Sequence, residues 1–264
     1  MSPAPSSFTF EPLFLALATV AAVLYVRAAR IEKPPAWRIV LFSIGLLLVA
    51  GALNSPLETI AANYLLLFHL LQNVMISDWA PPLVLIGLTP AMREGLAARG
   101  GDWFGWLTRP QVALPAWLVG WYLVHLGAVY DAAVRNPVLL GLEHAFLIAI
   151  GLLFWWPVLC DVPRAVSTLG RIGYVLAAFV FSAFLGLALT FSPPVYDYYE
   201  SRPERLWGIT AEQDQNLGGI LMSTEQALVF FAAVVWLLVR LFREEAEAEE
   251  RLAAEQRAAG LREH

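Results

Sequence analysis

Three histidines and one carboxylate lie in strongly apolar stretches of this chain. His69 lies in "FHLLQNVMISDW", His125 in "WYLVHLGAVY", and the adjacent Glu143 and His144 in "GLEHAFL". Imidazole and carboxylate groups bind metal ions, carry protons or orient one another. The chain has four histidines, and the fourth, His264, is its last residue and is interpreted as incidental. The candidate chemistry is therefore concentrated in three short segments.

The composition is that of an integral membrane protein. Of 264 residues, 59% are hydrophobic and 15% are charged, and the mean hydropathy is +0.62. Soluble domains have about 45–50% apolar and about 25% charged residues. The single cysteine, Cys160, excludes an internal disulfide and any metal motif of paired cysteines. The N-terminal segment lacks the basic region of a signal peptide, so we expect the first apolar run to be a retained span.

Seven apolar runs approach the roughly 20 residues that a membrane-spanning helix needs. The third run is long enough to tilt, or to break near Pro81 and Pro82. The predicted fold is an all-α polytopic transmembrane bundle, residues 1–243, followed by a charged cytoplasmic helical tail, residues 244–264. No nucleic-acid partner is expected. The seven predicted spans are 10–28, 38–53, 61–88, 112–129, 137–159, 171–191 and 216–241.

Lysine and arginine are distributed unevenly between alternate loops. Fourteen of the 17 basic residues fall on one side of the predicted bundle, and three, Arg135, Arg202 and Arg205, fall on the other. Because basic loops remain in the cytoplasm, the N-terminus is expected outside and the C-terminus in the cytoplasm. We expect a multi-pass protein embedded in the lipid bilayer of the bacterial inner membrane.

This orientation assigns a depth to each polar residue. At 1.5 Å per helical residue, the three embedded histidines all lie within about 12 Å of the outer surface. Ionisable groups in spans usually face a bundle interior, where they serve a function. The residues of four spans that share the outer third of the membrane are His69, Gln72, Asn73, His125, Glu143, His144, Asp214 and Gln215, with Met222 about two turns below.

The shared depth favours one common site, although a lone histidine in an apolar helix is more often a packed core residue. Imidazole suits zinc, copper and iron, and thioether selects Cu(I), so histidines with Met222 favour copper. Haem bound through an axial histidine is the alternative. Other roles stay open: Glu143 can orient a histidine or carry protons, and Met222 can simply pack. Asp214 and Gln215 can cap the seventh helix.

Asp78 lies deeper than this layer, in "MISDWAPP" near mid-membrane. An unpaired charge there costs several kcal/mol. One interpretation is a packed, protonated or paired structural carboxyl, and the other is a proton-linked role. Cys160 lies at the cytoplasmic end of the fifth span, so we place it outside the site.

Taken together, these segments resemble the signature regions of the seven-span CtaG family of membrane cytochrome c oxidase assembly factors. The patterns H-x-x-Q, W-x-x-x-H-x-x-x-x-Y, E-H with W-W-P, and D-Q-x-x-G-G occur in that order between Tyr64 and Met222. The resemblance implies a factor that matures the oxidase and is linked to copper delivery on its extracytoplasmic side. The positions that match the family's motifs are His69, Gln72, His125, Tyr130, Glu143, His144, Asp214 and Gln215.

Two departures from the family pattern reduce the number of available ligands. Asn73 and Leu140 stand where relatives often carry histidine. This favours a site of two or three histidines, which suits Cu(I) better than Zn(II), or a scaffolding role without metal.

The predicted function is copper handling by His69, His125, His144 and Met222. Gln72, Tyr130, Glu143, Asp214 and Gln215 are the predicted lining of that site. The expected partners are cytochrome c oxidase subunits or other copper proteins. No enzymatic activity is predicted, since no nucleophile–base pair, phosphate loop or cofactor fingerprint is present. The alternatives are a haem-binding or proton-coupled redox or transport protein that uses Glu143 and Asp78, and a cofactor-free scaffold for oxidase subunits.

Overall fold

Proline and capping side chains determine where many of the helices begin. In the computed structural model, which describes residues 3–260, five helices besides Ala80–Gly87, which continues a preceding helical turn, begin with proline in the first turn. Its missing N–H costs no hydrogen bond at that position. Asn136, for example, precedes Pro137 and accepts a hydrogen bond from the Val138 N–H at 2.9 Å. Ser55, Thr89 and Ser167 cap three further helices in the same way.

The described residues fold into helices joined by short connections, and no strand occurs among them. A π-helical turn, Met75–Trp79, joins α4 to α5, and a 3₁₀ turn, Leu206–Gly208, precedes α12. The α-helices are α1 Pro12–Glu32, α2 Ala36–Asn54, α3 Pro56–Asn63, α4 Leu66–Val74, α5 Ala80–Gly87, α6 Pro90–Leu107, α7 Pro110–Val124, α8 Gly127–Arg135, α9 Pro137–Leu159, α10 Thr168–Phe191, α11 Asp197–Glu200 and α12 Ala211–Gly260.

The predicted all-α transmembrane bundle is confirmed. Within residues 3–260, five helices are each long and apolar enough to cross a membrane, and the number rises to seven if each of two bent helix pairs is one span. The higher number equals the number of spans predicted from the sequence. The five single helices are α1, α2, α9, α10 and α12. The direction in which they cross the membrane stays a prediction.

The third predicted span, for which a tilt and a break near Pro81 and Pro82 were both open, is irregular. Instead of breaking at Pro81 and Pro82, the chain forms the π-helical turn immediately before them and then continues as α5. Because proline lacks an N–H and crowds the preceding turn, a widened turn accommodates the pair without ending the helix. The chain bends sharply only later, by 110° between the Leu66–Gly87 segment and α6.

The fourth predicted span is also divided, and His125 lies at the division. Helix α7 ends at Val124, and α8 leaves it at an angle of 69°. Gly127 allows this turn to sit against the loop that follows α10, because a Cβ there would lie 2.7 Å from the Val195 carbonyl oxygen. His125 therefore lies at a helix end rather than inside a regular span.

Aromatic side chains fill the centre of the bundle below this division. Trp117 stacks on Phe154 with ring centres 4.4 Å apart, and Phe230 of α12 packs against both rings. All three are fully buried. Trp121 continues the stack toward His125, whose ring centre is 4.7 Å away. His125 thus lies next to a layer of buried aromatic rings.

Arginine side chains hold the helix ends at the predicted cytoplasmic side. Arg93 donates to the Leu85 carbonyl at 2.7 Å and to the Leu159 carbonyl at 2.9 Å, in the last turns of α5 and α9. The buried Arg171 donates to the Val158 carbonyl at 2.9 Å. These cations bind carbonyls in the last turns of the helices, where few backbone N–H groups are available.

Helix α12 continues beyond the last predicted span to Gly260 without interruption. Just past the membrane, Glu244 accepts hydrogen bonds from Arg240 and from Thr168, both at 2.7 Å. The bond from Arg240 and then the bond from Thr168 lower the pKa of the exposed Glu244 carboxyl. The contact with Thr168 links the start of α10 to the tail helix.

Helix α9 and the π-helical turn approach so closely that only glycine fits at residue 151. A Cβ at Gly151 would collide with the Ser77 carbonyl oxygen and lie 3.0 Å from Pro81, whereas a Cβ at Gly141, on the same helix, would meet nothing within 4 Å. We expect Gly151→Ala to lower the free energy of unfolding by about 1–3 kcal/mol through overpacking. Gly141→Ala should raise it by up to about 1 kcal/mol through helix propensity.

Unfolding of both variants in mixed detergent micelles, followed by tryptophan fluorescence, measures the difference. Equal stability of the two variants would contradict the close approach of α9 to the π-helical turn.

Candidate functional site

Five buried side chains from four helical segments meet at the predicted outer end of the bundle. The ring centres of His69 and His144 are 5.9 Å apart. The Tyr130 ring lies between two histidines, 4.7 Å from His69 and 6.0 Å from His125. Glu143 places a carboxylate oxygen 3.7 Å from His69 Nε2. We refer to these five residues, none more than 7% exposed, as the histidine cluster.

Each member of the histidine cluster is positioned by a different feature of the fold. His69 lies on α4, His125 at the end of α7, and Tyr130 on α8. Glu143 and His144 are adjacent on α9, where consecutive side chains point in directions about 100° apart. The two therefore reach His69 from different sides of one helix.

Two residues outside the cluster contact its α9 members. Asn73, one turn after His69, donates a hydrogen bond to the same Glu143 oxygen at 3.3 Å. On the other side, Phe14 of α1 packs edge-on against the His144 ring, with centres 6.2 Å apart. Phe14 is 2% exposed, so it separates this side of the cluster from the bilayer.

Hydrogen bonds determine the tautomer of two of the histidines. Tyr199 donates its hydroxyl proton to the Ala61 carbonyl at 2.6 Å, so its oxygen accepts from His69 Nδ1 at 2.9 Å. His125 Nδ1 lies 2.7 Å from the Trp121 carbonyl, which can only accept. In the neutral form both rings therefore carry hydrogen on Nδ1 and a free lone pair on Nε2.

The histidine cluster leaves several buried polar atoms without a hydrogen-bond partner in the described part of the chain. Buried polar groups in folded proteins are nearly always paired, so several such atoms in one layer need an explanation. Within residues 3–260, no group of three or more His, Cys, Asp or Glu side chains is arranged to hold a metal ion. The unpaired atoms are Nε2 of His69, His125 and His144, Tyr130 Oη, Glu143 Oε2 and Asn73 Oδ1.

The segment between α10 and α12 covers the histidine cluster. Tyr196 donates to the His125 carbonyl at 3.0 Å and packs against Tyr130, with ring centres 4.4 Å apart. Tyr198 donates to the Ala62 carbonyl at 2.6 Å. Together with Tyr199, these side chains form a tyrosine lid, which is our name for Tyr196, Tyr198 and Tyr199.

Arginines hold the outer surface of the tyrosine lid. Arg202 and Arg135 lie over the Tyr198 ring, 3.8 and 5.3 Å from its centre. Partial burial, together with the nearby charge of Arg135, lowers the pKa of Arg202. Arg205 donates to the Tyr199 carbonyl at 3.1 Å. All three basic residues that the sequence places on this side therefore contact the lid.

Asp214 caps a helix, although not the one expected. Its two carboxylate oxygens accept hydrogen bonds from the backbone N–H groups of Leu66 and Leu67, at 2.9 and 2.8 Å. These are the first residues of α4, whose own cap residue makes no side-chain hydrogen bond. Arg205 lies 3.7 Å from the same carboxylate. Asp214 of α12 therefore holds the helix that carries His69.

The alternative role of Asp214 and Gln215 as a cap of the seventh helix does not occur in the structure. Helix α12 begins earlier, and Thr210 and Gln213 cap it reciprocally. The Gln213 N–H donates to the Thr210 hydroxyl at 3.2 Å, and the Thr210 N–H donates to the Gln213 side chain at 3.0 Å. This capping box leaves Asp214 free to reach another helix.

The remaining predicted site residues have contacts of their own. The Gln215 amide group accepts from the Val195 N–H at 2.8 Å and donates to the Leu189, Ser192 and Pro193 carbonyls. Gln72 donates to the Ala52 carbonyl at 2.9 Å and to Glu58. Met222 is buried on α12 within the apolar core. The two glutamines thus hold neighbouring segments in place.

Several residues around the site were missed from the sequence. The "YDYYE" run lies in a loop, so its tyrosines had no assigned depth, although three tyrosines within four residues are an unusual loop composition. Phe14 resembles any other apolar residue of a lipid-facing helix. Glu58 lies outside the predicted spans. Glu225 lies inside the seventh predicted span, but at a greater depth than the histidines.

Comparison with known proteins identifies the family. The sequence model of the family described as cytochrome c oxidase caa3 assembly factor (Caa3_CtaG) matches residues 19–244. The chain belongs to this family. The CtaG resemblance inferred from the short motifs is thereby confirmed.

The similar curated proteins belong to mycobacteria and are longer. The chain is 23% identical to the uncharacterised protein ML1998 of Mycobacterium leprae, over 89% of this chain and 40% of that protein. It is 24% identical to the uncharacterised proteins Mb0105 of Mycobacterium bovis and MT0111 of Mycobacterium tuberculosis, over 67% of this chain and 30% of each. The chain thus spans less than half the length of these relatives. No solved structure matches it.

Removal of the Asp214 carboxylate tests its role in holding α4. We expect Asp214→Ala to lower the free energy of unfolding by about 1–2 kcal/mol, because the first N–H groups of α4 lose their acceptors. Glu212→Ala, which removes an exposed carboxylate from the same turn of α12, should change it by less than about 0.5 kcal/mol. Detergent unfolding curves of the two variants provide the comparison, and equal losses would refute the cap.

Proposed function

We propose that this Caa3_CtaG family member handles copper during assembly of cytochrome c oxidase and binds Cu(I) at the histidine cluster. The family supplies the link to the oxidase. The observation that carries the copper proposal is the set of three buried Nε2 atoms without hydrogen-bond partners on His69, His125 and His144. Two of these atoms carry free lone pairs, because their rings donate from Nδ1.

The donor set fits copper in its reduced state. Metal-binding histidines usually donate the hydrogen of their other ring nitrogen to a carbonyl or similar acceptor, and His69 and His125 both do so. Imidazole nitrogen suits copper, and Cu(I) accepts few ligands. Asn73 lies where relatives often have another histidine, so a site of two or three nitrogens is expected. The closest pair is His69 and His144, with Glu143 beside them as a counter-charge.

The tyrosine lid controls access to the proposed site. Every member of the histidine cluster is at least 93% buried, so copper cannot reach it without movement of a covering segment. Tyr196 and Tyr199 touch the cluster directly and connect to the outer surface through Arg205. We propose that copper moves by ligand exchange to an oxidase subunit or another copper protein on the extracytoplasmic side of a bacterial inner membrane. This role requires no catalysed reaction.

Metal binding by purified protein tests the proposal. Full-length protein in detergent is loaded with Cu(I) under anaerobic conditions and titrated with a chromogenic chelator. We expect one bound copper per chain, with affinity lowered at least tenfold in His69→Ala and in His144→Ala. His264→Ala serves as the matched control and should bind like the wild type.

Two outcomes would overturn the copper proposal. Equal copper in the wild type, His69→Ala and His144→Ala would leave a scaffold for oxidase subunits. A Soret band in the visible spectrum of the protein purified from its membrane would indicate haem instead.

The hydrogen bond from His69 to Tyr199 allows a finer test. Tyr199→Phe removes the acceptor of the Nδ1 hydrogen, so we expect Cu(I) affinity to fall by about 10–100-fold. Tyr198→Phe is the matched control, because its hydroxyl makes the same kind of bond to the neighbouring Ala62 carbonyl without touching His69. Equal affinities of the two variants would show that Tyr199 does not orient a copper ligand.

A further inference from the structure

A second buried polar group lies near mid-membrane, where the π-helical turn meets α12. Asp78 is fully buried, and neither of its carboxyl oxygens has a hydrogen-bond partner in the described chain. Gln226 is 1% exposed, and both polar atoms of its amide are likewise unpaired. Glu225, which precedes Gln226 on α12, accepts a hydrogen bond from Trp79, the residue after Asp78. This group is separate from the histidine cluster.

Glu225 is held in a defined orientation, 7% exposed, in the wall of a groove on the bundle surface. Trp79 donates its indole N–H to Glu225 Oε1 at 2.6 Å, and Oε2 has no partner among residues 3–260. Glu225 also lines a groove of about 580 Å³ on the surface of the bundle. The groove runs between α12 on one side and Leu67 and Trp79 on the other.

The groove has the shape and length of a helix-packing surface. Its α12 wall consists of residues at intervals of three and four from Leu217 to Val229, which is one face of a helix. At 1.5 Å per residue this face is about 18 Å long, more than half of the ~30 Å hydrocarbon layer. Leu217 and Leu228 are 41% and 65% exposed, so no other part of the described chain covers this face.

We propose that this groove binds a transmembrane helix of a partner protein that carries a basic side chain, Lys or Arg, at mid-membrane. The groove wall offers one unpaired acceptor, Glu225 Oε2, and Asp78, whose two oxygens are also unpaired, precedes the groove residue Trp79. A lysine supplies three donors and a positive charge that matches the two carboxyls. Polar side chains that pair across helices in this way stabilise association within membranes.

The other occupants of such a groove fit less well. A lipid acyl chain fills the apolar walls but offers no hydrogen-bond donor, so Glu225 Oε2 remains unpaired while Oε1 keeps its bond from Trp79. A second copy of this chain, packed symmetrically through α12, brings a second Glu225 to the same depth and sets like groups against each other. The inference does not depend on copper binding, because the groove and the histidine cluster share no residue.

A synthetic helix in a defined bilayer tests the proposal. Full-length protein, labelled with a fluorophore on its C-terminal tail, is reconstituted in phosphatidylcholine vesicles. The probe is an acceptor-labelled polyleucine transmembrane peptide with one central Lys, and the reference peptide has Leu there. We expect energy transfer to show at least tenfold tighter association of the Lys peptide, and Glu225→Gln should reduce that advantage at least tenfold.

Two further variants keep the test interpretable. Leu228→Trp fills the exposed groove without disturbing the core and should weaken the Lys peptide at least tenfold, whereas Glu212→Gln, outside the groove on the same helix, should bind like the wild type. An unfolding curve of Glu225→Gln, followed by tryptophan fluorescence, that matches the wild type shows that the fold is intact. Equal binding of the two peptides overturns the proposal in favour of lipid. Energy transfer between donor-labelled and acceptor-labelled copies of the chain, lost in Leu228→Trp, overturns it in favour of a second copy.

Discussion

The hydrogen bonds from the start of α4 to Asp214 are the interaction on which the arrangement of the site depends. They join the first turn of α12 to the first residues of α4 across 147 and 148 residues of sequence. His69 lies within one turn of that junction and faces α9. The first N–H groups of a helix that begins inside a bundle cannot donate hydrogen bonds to water. A carboxylate from another helix accepts those bonds and thereby fixes the position of the helix.

Polar side chains in this bundle divide into two kinds. Gln215, Gln72 and Arg171 each bind backbone carbonyls of neighbouring segments, so they secure loops and helix ends. The histidine cluster and the group around Glu225 instead keep unpaired atoms while fully or almost fully buried. The side chains that bind backbone carbonyls hold the fold together. The buried side chains with unpaired atoms are the places where ligands or partners are expected.

The family assignment and the geometry support each other at different levels. The match over residues 19–244 places the chain in the family described as cytochrome c oxidase caa3 assembly factor, and the mycobacterial relatives extend well beyond the part that this chain spans. The donor arrangement around His69, His125 and His144 goes further, because it specifies which nitrogen of each of two rings is free. Family membership alone does not contain that information.

Much of the fold followed from the sequence because hydrocarbon imposes a simple rule on it. Runs of about 20 apolar residues must form helices in a bilayer. Pro137 and Pro110 mark where two of those helices begin. The common depth of His69, His125 and His144 followed from span order and a constant rise per residue. Depth along the membrane normal is a one-dimensional quantity, so a linear sequence can predict it.

Lateral position is different, and the tertiary structure decided it. Asp214 reaches α4 rather than its own helix, Tyr199 descends from a loop to orient His69, and the chain divides at His125. Each of these three features depends on which helices pack against one another. The hydropathy of the sequence does not show which helices are neighbours. The sequence by itself therefore determined a membrane bundle with a polar layer toward one end, and packing alone decided which of those polar atoms are paired and which remain free to bind.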